Sequence, residues 1–176
     1  MNSSRPFSLA LALLVAAQAL RAQATPTMPG GYAPAVELGG LLDHPARLDS
    51  AALARLPATE LTMADGHGAS ADSARYRGVL LWELIRQAGP QTDSARKGDL
   101  LRDYVVVTGS DGYQVTVAMG EILPDFGAQP IILAWLRNGE PLDSAHGMAQ
   151  LLVPGDHRRG RSVHNVARIE FQAPGR

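Results

Sequence analysis

The pattern that most restricts the fold is a succession of short apolar runs, each closed by a turn signal, with one clear helical stripe among them. Ala35–Leu42, Glu60–Met63, Asp103–Thr108, Tyr113–Ala118, Ile131–Leu136, Gln150–Pro154 and Val166–Phe171 read as strands. In the last of these, Ala167, Ile169 and Phe171 fall on one face and Arg168 and Glu170 on the other, the period of a half-buried strand. Asp111-Gly112 is a hairpin signal, because glycine tolerates positive φ and aspartate tolerates it better than most residues. Asn138-Gly139 closes the apolar Ile131–Leu136 run in the same way. Val79–Ala88 is the clear helix: Leu80, Leu81, Leu84, Ile85 and Ala88 share one face. Gly89 ends it and Pro90 prevents its resumption. Single helical turns are expected from a Ser50 cap to Arg55 and over Met119–Leu123, and Asp65–Ser73 reads as a loop. Strands at this frequency with few short helices imply an α+β, mostly-β domain.

The N-terminus has a different character. Met1–Pro6 carries one charge, Arg5; Phe7–Leu20 is uncharged and rich in Leu and Ala; Ala22-Gln23-Ala24 supplies a small-x-small cleavage pattern. This order reads as a secretory signal peptide over residues 1–24, implying a periplasmic or secreted protein. About 14 apolar residues are too few to span a bilayer comfortably, so no membrane span is expected after processing. Residues 25–34 read as a mobile lead-in and residues 35–172 as one domain. The chain counts 16 basic and 17 acidic residues. Loss of Arg5 and Arg21 with the leader leaves a net charge of −3, which offers nothing to nucleic acid or an anionic membrane. Cysteine is absent, so neither disulfides nor a lipid-bearing thiol enter the argument, and a domain of this size buries a core without either.

Several segments, taken in order, carry a family resemblance. Leu56-Pro57 and the Leu61-Thr62-Met63 strand precede Tyr76-Arg77-Gly78-Val79 with Leu81-Trp82 and Leu84. Ser110-Asp111-Gly112-Tyr113, Pro141-Leu142, and Gly147 through Leu151-Leu152-Val153-Pro154 follow. Arg161-Ser162-Val163-His164 then leads into Val166–Phe171. This series resembles the molybdopterin-binding domain of the sulfite-oxidase and methionine-sulfoxide-reductase family, from about Ala35 to Phe171. The resemblance implies that fold and a cofactor site, and two departures bear on the site. The family's enzymes place a cysteine in the loop after the Leu-Thr-Met strand, where its thiolate binds molybdenum; here Ala64–Arg75 contains His67 and small residues. Imidazole is a poorer substitute for a soft thiolate, and no metal ligand is assigned. The family also reads Gly-Pro-Leu-Arg before its following strand, whereas this chain has Gly147-Met148-Ala149-Gln150, exchanging a cation for an amide.

By the same resemblance, Ser162, Val163 and His164 stand where the family contacts its cofactor, with His164 in place of a lysine. That exchange keeps a polar contact and adds pH dependence. Arg158 and Arg161, with Arg159, form a basic cluster that reads either as an anion-attracting edge or as a solvated loop. Gln150, Asp111, Tyr113 and Trp82 complete the candidate ligand contacts, although Asp111 and Tyr113 also fit plain hairpin chemistry and Trp82 fits core packing. Asp143 and His146 are explained by a turn after Pro141-Leu142. The expected function is an exported protein that binds a metal-free pterin or similar heterocycle, with a membrane sensor as a candidate partner. A molybdopterin-dependent oxidoreductase, or a subunit of a redox complex, is the alternative.

Overall fold

The computed structural model describes residues 30–65 and 72–175. The expected signal peptide, residues 25–29 of the expected lead-in, and His67 lie outside the described residues. The elements, in chain order, are β1 (Val36–Gly40), β2 (Ala46–Leu48), α1 (Ser50–Ala54), β3 (Thr59–Asp65), β4 (Asp72–Leu80) and α2 (Leu81–Ala88). A 3-10 turn at Asp99–Arg102 precedes β5 (Tyr104–Gly109), β6 (Gln114–Ala118) and α3 (Met119–Ile122). β7 (Ile132–Arg137), β8 (Glu140–Pro141), β9 (Gln150–Leu152), a 3-10 turn at Arg159–Arg161, and β10 (Val166–Gln172) complete the chain. The fold is α+β and mostly β.

Two sheets form. The first has the order β2-β1-β10-β5-β6, and in the second β3-β4-β7 continues to β8, with β9 also paired to β7. β1 and β10 run parallel, so Leu38 lies beside Ile169 and the two ends of the domain are stitched together. Alternation does the rest. Val105 and Val107 of β5, Val115 and Val117 of β6, and Ile169 and Phe171 of β10 point into one core. Val79 of β4, Leu133 and Trp135 of β7, and Leu151 of β9 enter it from the second sheet, and Leu81, Leu84 and Ile85 of α2 enter it too. Full burial of each such side chain stabilises the fold by about 1.5–3 kcal/mol.

The turn chemistry follows the sequence. Asp111-Gly112 closes the β5–β6 hairpin, with positive φ at Gly112 (+87°). Asp111 keeps an ordinary conformation and instead accepts the Tyr113 N–H at 2.9 Å through its carboxylate. Asn138 and Gly139 both take positive φ (52° and 89°), which fits a tight β7–β8 connection.

Three local expectations are corrected. Val79 and Leu80 are the end of β4, paired with Leu133 and Ile132, so the helix starts at Leu81. β4 itself was unanticipated: its composition, DSARYRGVL, is too polar to read as a run, yet Ala74 and Tyr76 are buried while Ser73, Arg75 and Arg77 are exposed. Its register shifts between Arg77 and Gly78, and a Cβ on Gly78 would meet the Leu133 carbonyl oxygen at 2.3 Å. Glycine is required there because the strands approach so closely. At α1 the cap is Asp49, which accepts the Ala52 N–H at 2.8 Å, rather than Ser50. The carboxylate takes an amide that the helix start leaves without a partner.

Gly30 to Ala33, within the expected lead-in, are tied to the domain. The Gly30 N–H donates to the Ser110 carbonyl at 3.0 Å. Asn165, at φ +46°, accepts the Ala33 N–H at 3.0 Å and donates to the Gly31 carbonyl at 2.9 Å and to the Ser110 hydroxyl.

Candidate functional site

The central strands of the second sheet bury side chains on both faces, while Arg75 and Arg77 of β4 and Glu60 and Thr62 of β3 stay exposed. The face away from the main core carries Ala74 and Tyr76 of β4, Ile132 and Ala134 of β7, and Leu152 of β9, all with essentially no exposure. This cluster is small, and polar groups are set into it. Gln150, at the start of β9, lies opposite Ala134. Leu151 pairs with Val163 through two backbone hydrogen bonds, 2.8 and 3.2 Å, which brings His164 across from Gln150. Gln150 is 1% exposed, and its carbonyl Oε1 is buried with no hydrogen-bond partner. A buried amide oxygen without a donor costs about 1–3 kcal/mol, and native interiors rarely tolerate one without a reason.

The segment carrying Arg158 to His164 is braced at three points. Arg161 donates to both carboxylate oxygens of Asp156, at 2.9 and 2.6 Å, and to Glu121 of α3 at 2.8 Å. Its hydrogen bonds to these two carboxylates raise its already high pKa further, while the Arg161 guanidinium holds Asp156 below the usual carboxylate range. The Tyr113 hydroxyl donates to the Gly160 carbonyl. The buried Tyr76 phenol, pushed up by desolvation, is partly offset by Arg159, which lies near it and hydrogen-bonds to it.

A third piece arrives from the turn after β8. The Asp143 carboxylate accepts the Ala145 and His146 N–H groups, each at 3.0 Å, and also contacts His146 Nδ1 at 2.6 Å. These bonds hold Asp143 below the usual carboxylate range, with the His146 side chain the largest cause. The ring of His146 lies against that of His164, centroids 4.6 Å apart and planes tilted by 44°. The Asn165 N–H donates to the His146 carbonyl at 2.7 Å and locks the two segments together. Part of His164 reaches solvent, yet desolvation lowers its pKa, followed by the charges of His146 and Arg159; Asp143 and Asp111 act in the opposite direction. His164 therefore favours the neutral imidazole at neutral pH.

The sequence-derived candidates divide accordingly. Gln150 and His164 come together at this face, the Asp111 charge reaches His164, and Ser162 ends the 3-10 turn at Arg159–Arg161. Val163 turns into the main core at 1% exposure, because the pairing that presents Gln150 and His164 points its side chain the other way. Arg161 braces the segment, its guanidinium bonded to the Asp156 and Glu121 carboxylates. Tyr113 is likewise a brace, though half exposed. Arg158 is exposed at the rim. Trp82 packs its half-buried indole against the main core from α2. Sequence reasoning gave no site role to Tyr76, Asp143 or His146, and named Arg159 only within the basic cluster. The Asp-x-x-His spacing was the available signal, and the neighbouring turn explained it away.

The chemistry of the donor set bears on what this face can hold. The chain has no thiolate to offer molybdenum, and among the described residues no three His, Asp or Glu side chains form a group that could hold a metal. The residues do not fit a molybdenum centre tethered by the protein. What they present at this face is an acceptor without a donor, Gln150 Oε1, and the lone pair of a neutral His164.

Mixed β-sheets with few helices and a polar site built on one sheet define the class as a sulfite-oxidase-type cofactor-binding domain. The family model described as the oxidoreductase molybdopterin binding domain matches residues 33–174. The chain belongs to that family. Among solved structures, the sulfane dehydrogenase SoxCD from Paracoccus pantotrophus shares the fold with a TM-score of 0.61 at 23% identity, covering 81% of this chain and 39% of that one. The chain thus spans about two fifths of that protein's length. No curated protein sequence matches it.

Proposed function

We propose that this domain binds a pterin-type heterocycle on the outer face of its second sheet, without a protein-thiolate bond to a metal. The observation that carries the reading is Gln150 Oε1, buried, unpartnered and opposite His164. An amide oxygen in that position accepts an N–H from the ligand's amide-like edge, while His164 accepts a second. The three-point brace keeps the Arg158–His164 segment in place, which lowers the ordering cost of binding. Arg158 and Arg159 favour a ligand bearing an anionic group. Family membership speaks for molybdopterin itself, or a close relative, as the pterin.

A second reading is favoured by that same membership: the chain serves as a subunit of a redox assembly, its domain holding a molybdopterin whose metal is secured by groups from outside this polypeptide. Export to the periplasm or the medium, and a membrane-bound partner, remain part of the proposal on the strength of the N-terminal pattern.

The test of the main reading is a fluorescence titration of the purified protein with pterin. Saturable one-to-one binding is expected, lost in Gln150→Leu with the fold intact by circular dichroism. Equal affinity in the variant would remove Gln150, and with it this site.

A further inference from the structure

In the family pattern the sequence resembles a lysine stands where this chain has His164, and neither the core nor the brace uses the His146–His164 pair. Their geometry is specific. Asp143 fixes the His146 ring through Nδ1 at 2.6 Å, the Asn165-to-His146 backbone bond at 2.7 Å fixes the two segments, and the rings meet at 4.6 Å. We propose that this pair makes the site acid-releasable: the ligand is held while His164 is neutral and is shed when both rings carry a proton.

The inference rests on the pterin-site reading and extends it to regulation. A neutral His164 offers a lone pair to the ligand's N–H; protonation removes that acceptor. The charged groups facing His164 come from every side. His146 and Asp143 stand on the turn after β8, Arg159 on the 3-10 turn, and Asp111 on the β5–β6 turn. Asp143 is already engaged by His146, and Asp111 by the Tyr113 N–H at 2.9 Å. A second imidazolium therefore enters beside a first one and beside Arg159, with the nearest carboxylates already engaged. Like charges at this separation resist joint ionisation, so the pair passes through a singly charged state before the doubly charged one. The second protonation therefore lies on the acid side of the ordinary imidazole range.

Two arms test this. In the first, without ligand, the imidazole resonances are followed by NMR through an acid titration. His164 should titrate below an ordinary histidine, and its midpoint should rise in His146→Asn. An unshifted midpoint, or one indifferent to His146, overturns the coupling. In the second, pterin affinity is measured by fluorescence at about pH 7.5 and about pH 4.5, where the wild type should weaken about tenfold and His164→Asn by less than about twofold. Circular dichroism confirms that the fold persists at the lower pH. Binding that is unchanged or strengthened by acid overturns the acid-release proposal and leaves the pterin site standing. Binding at neither pH overturns both.

Discussion

The second sheet buries side chains on two faces that are chemically unlike. Toward the main core, Val79, Leu133, Trp135 and Leu151 meet the first sheet and α2 in a wholly apolar contact. On the outer face, Tyr76, Ala134 and Leu152 share burial with Gln150, and the Arg159 and His164 segment lies over them. Burial on the first face offsets the entropy of folding. On the second it leaves an amide oxygen without a donor, which works against stability and which the proposed ligand would satisfy. The contrast separates what this domain needs to fold from what the proposed binding would use.

The largest effect expected from breaking this contrast lies in the core. Phe171→Ala, at a position with no exposure, should cost about 3–5 kcal/mol, read as a fall in the urea midpoint. A smaller loss would mean that the two sheets share less core than described. Arg161→Ala comes next. It removes charge-assisted bonds to Asp156 and Glu121 that are partly solvent-screened, so about 1–2 kcal/mol is expected. Hydrogen exchange should quicken across the Arg158–His164 segment. A variant that weakens ligand while leaving stability and exchange untouched would give Arg161 the contact role first read from sequence.

On the outer face the sign changes. Gln150→Leu should alter stability by no more than about 1 kcal/mol, in either direction, because it removes an unsatisfied group and keeps the volume. A loss of several kcal/mol would show that Gln150 is structural. The smallest effect is the pH dependence of stability from His164. Its lowered pKa means that the unfolded chain binds the proton more readily. Stability should therefore fall as pH drops through the ordinary imidazole range toward the lowered value. His164→Asn should flatten that segment of the profile, measured by thermal unfolding.

Much of this was legible in the residues. Period-two alternation placed β10, Asp111-Gly112 marked the β5–β6 hairpin and Asn138-Gly139 the end of β7, because those signals are local. β4 escaped: Arg75 and Arg77 dilute its apolar content, and its burial is set by β3 and β7, which lie elsewhere in the chain. The ordered series of motifs reached the family and two of the residues at the outer face. It did not see the brace at Arg161, which depends on Glu121, 40 positions away. It also missed the His146–His164 contact, which exists only because Leu151 pairs with Val163 and Asn165 reaches back to His146.

The central claim, a pterin held without protein-tethered molybdenum, is tested most directly by composition. The protein is produced in a molybdenum-replete host, purified without stripping, and assayed for molybdenum by elemental mass spectrometry and for pterin by fluorescence after denaturation. Pterin near one equivalent with molybdenum well below it is the expected result. Molybdenum at one equivalent in the isolated chain would contradict the account.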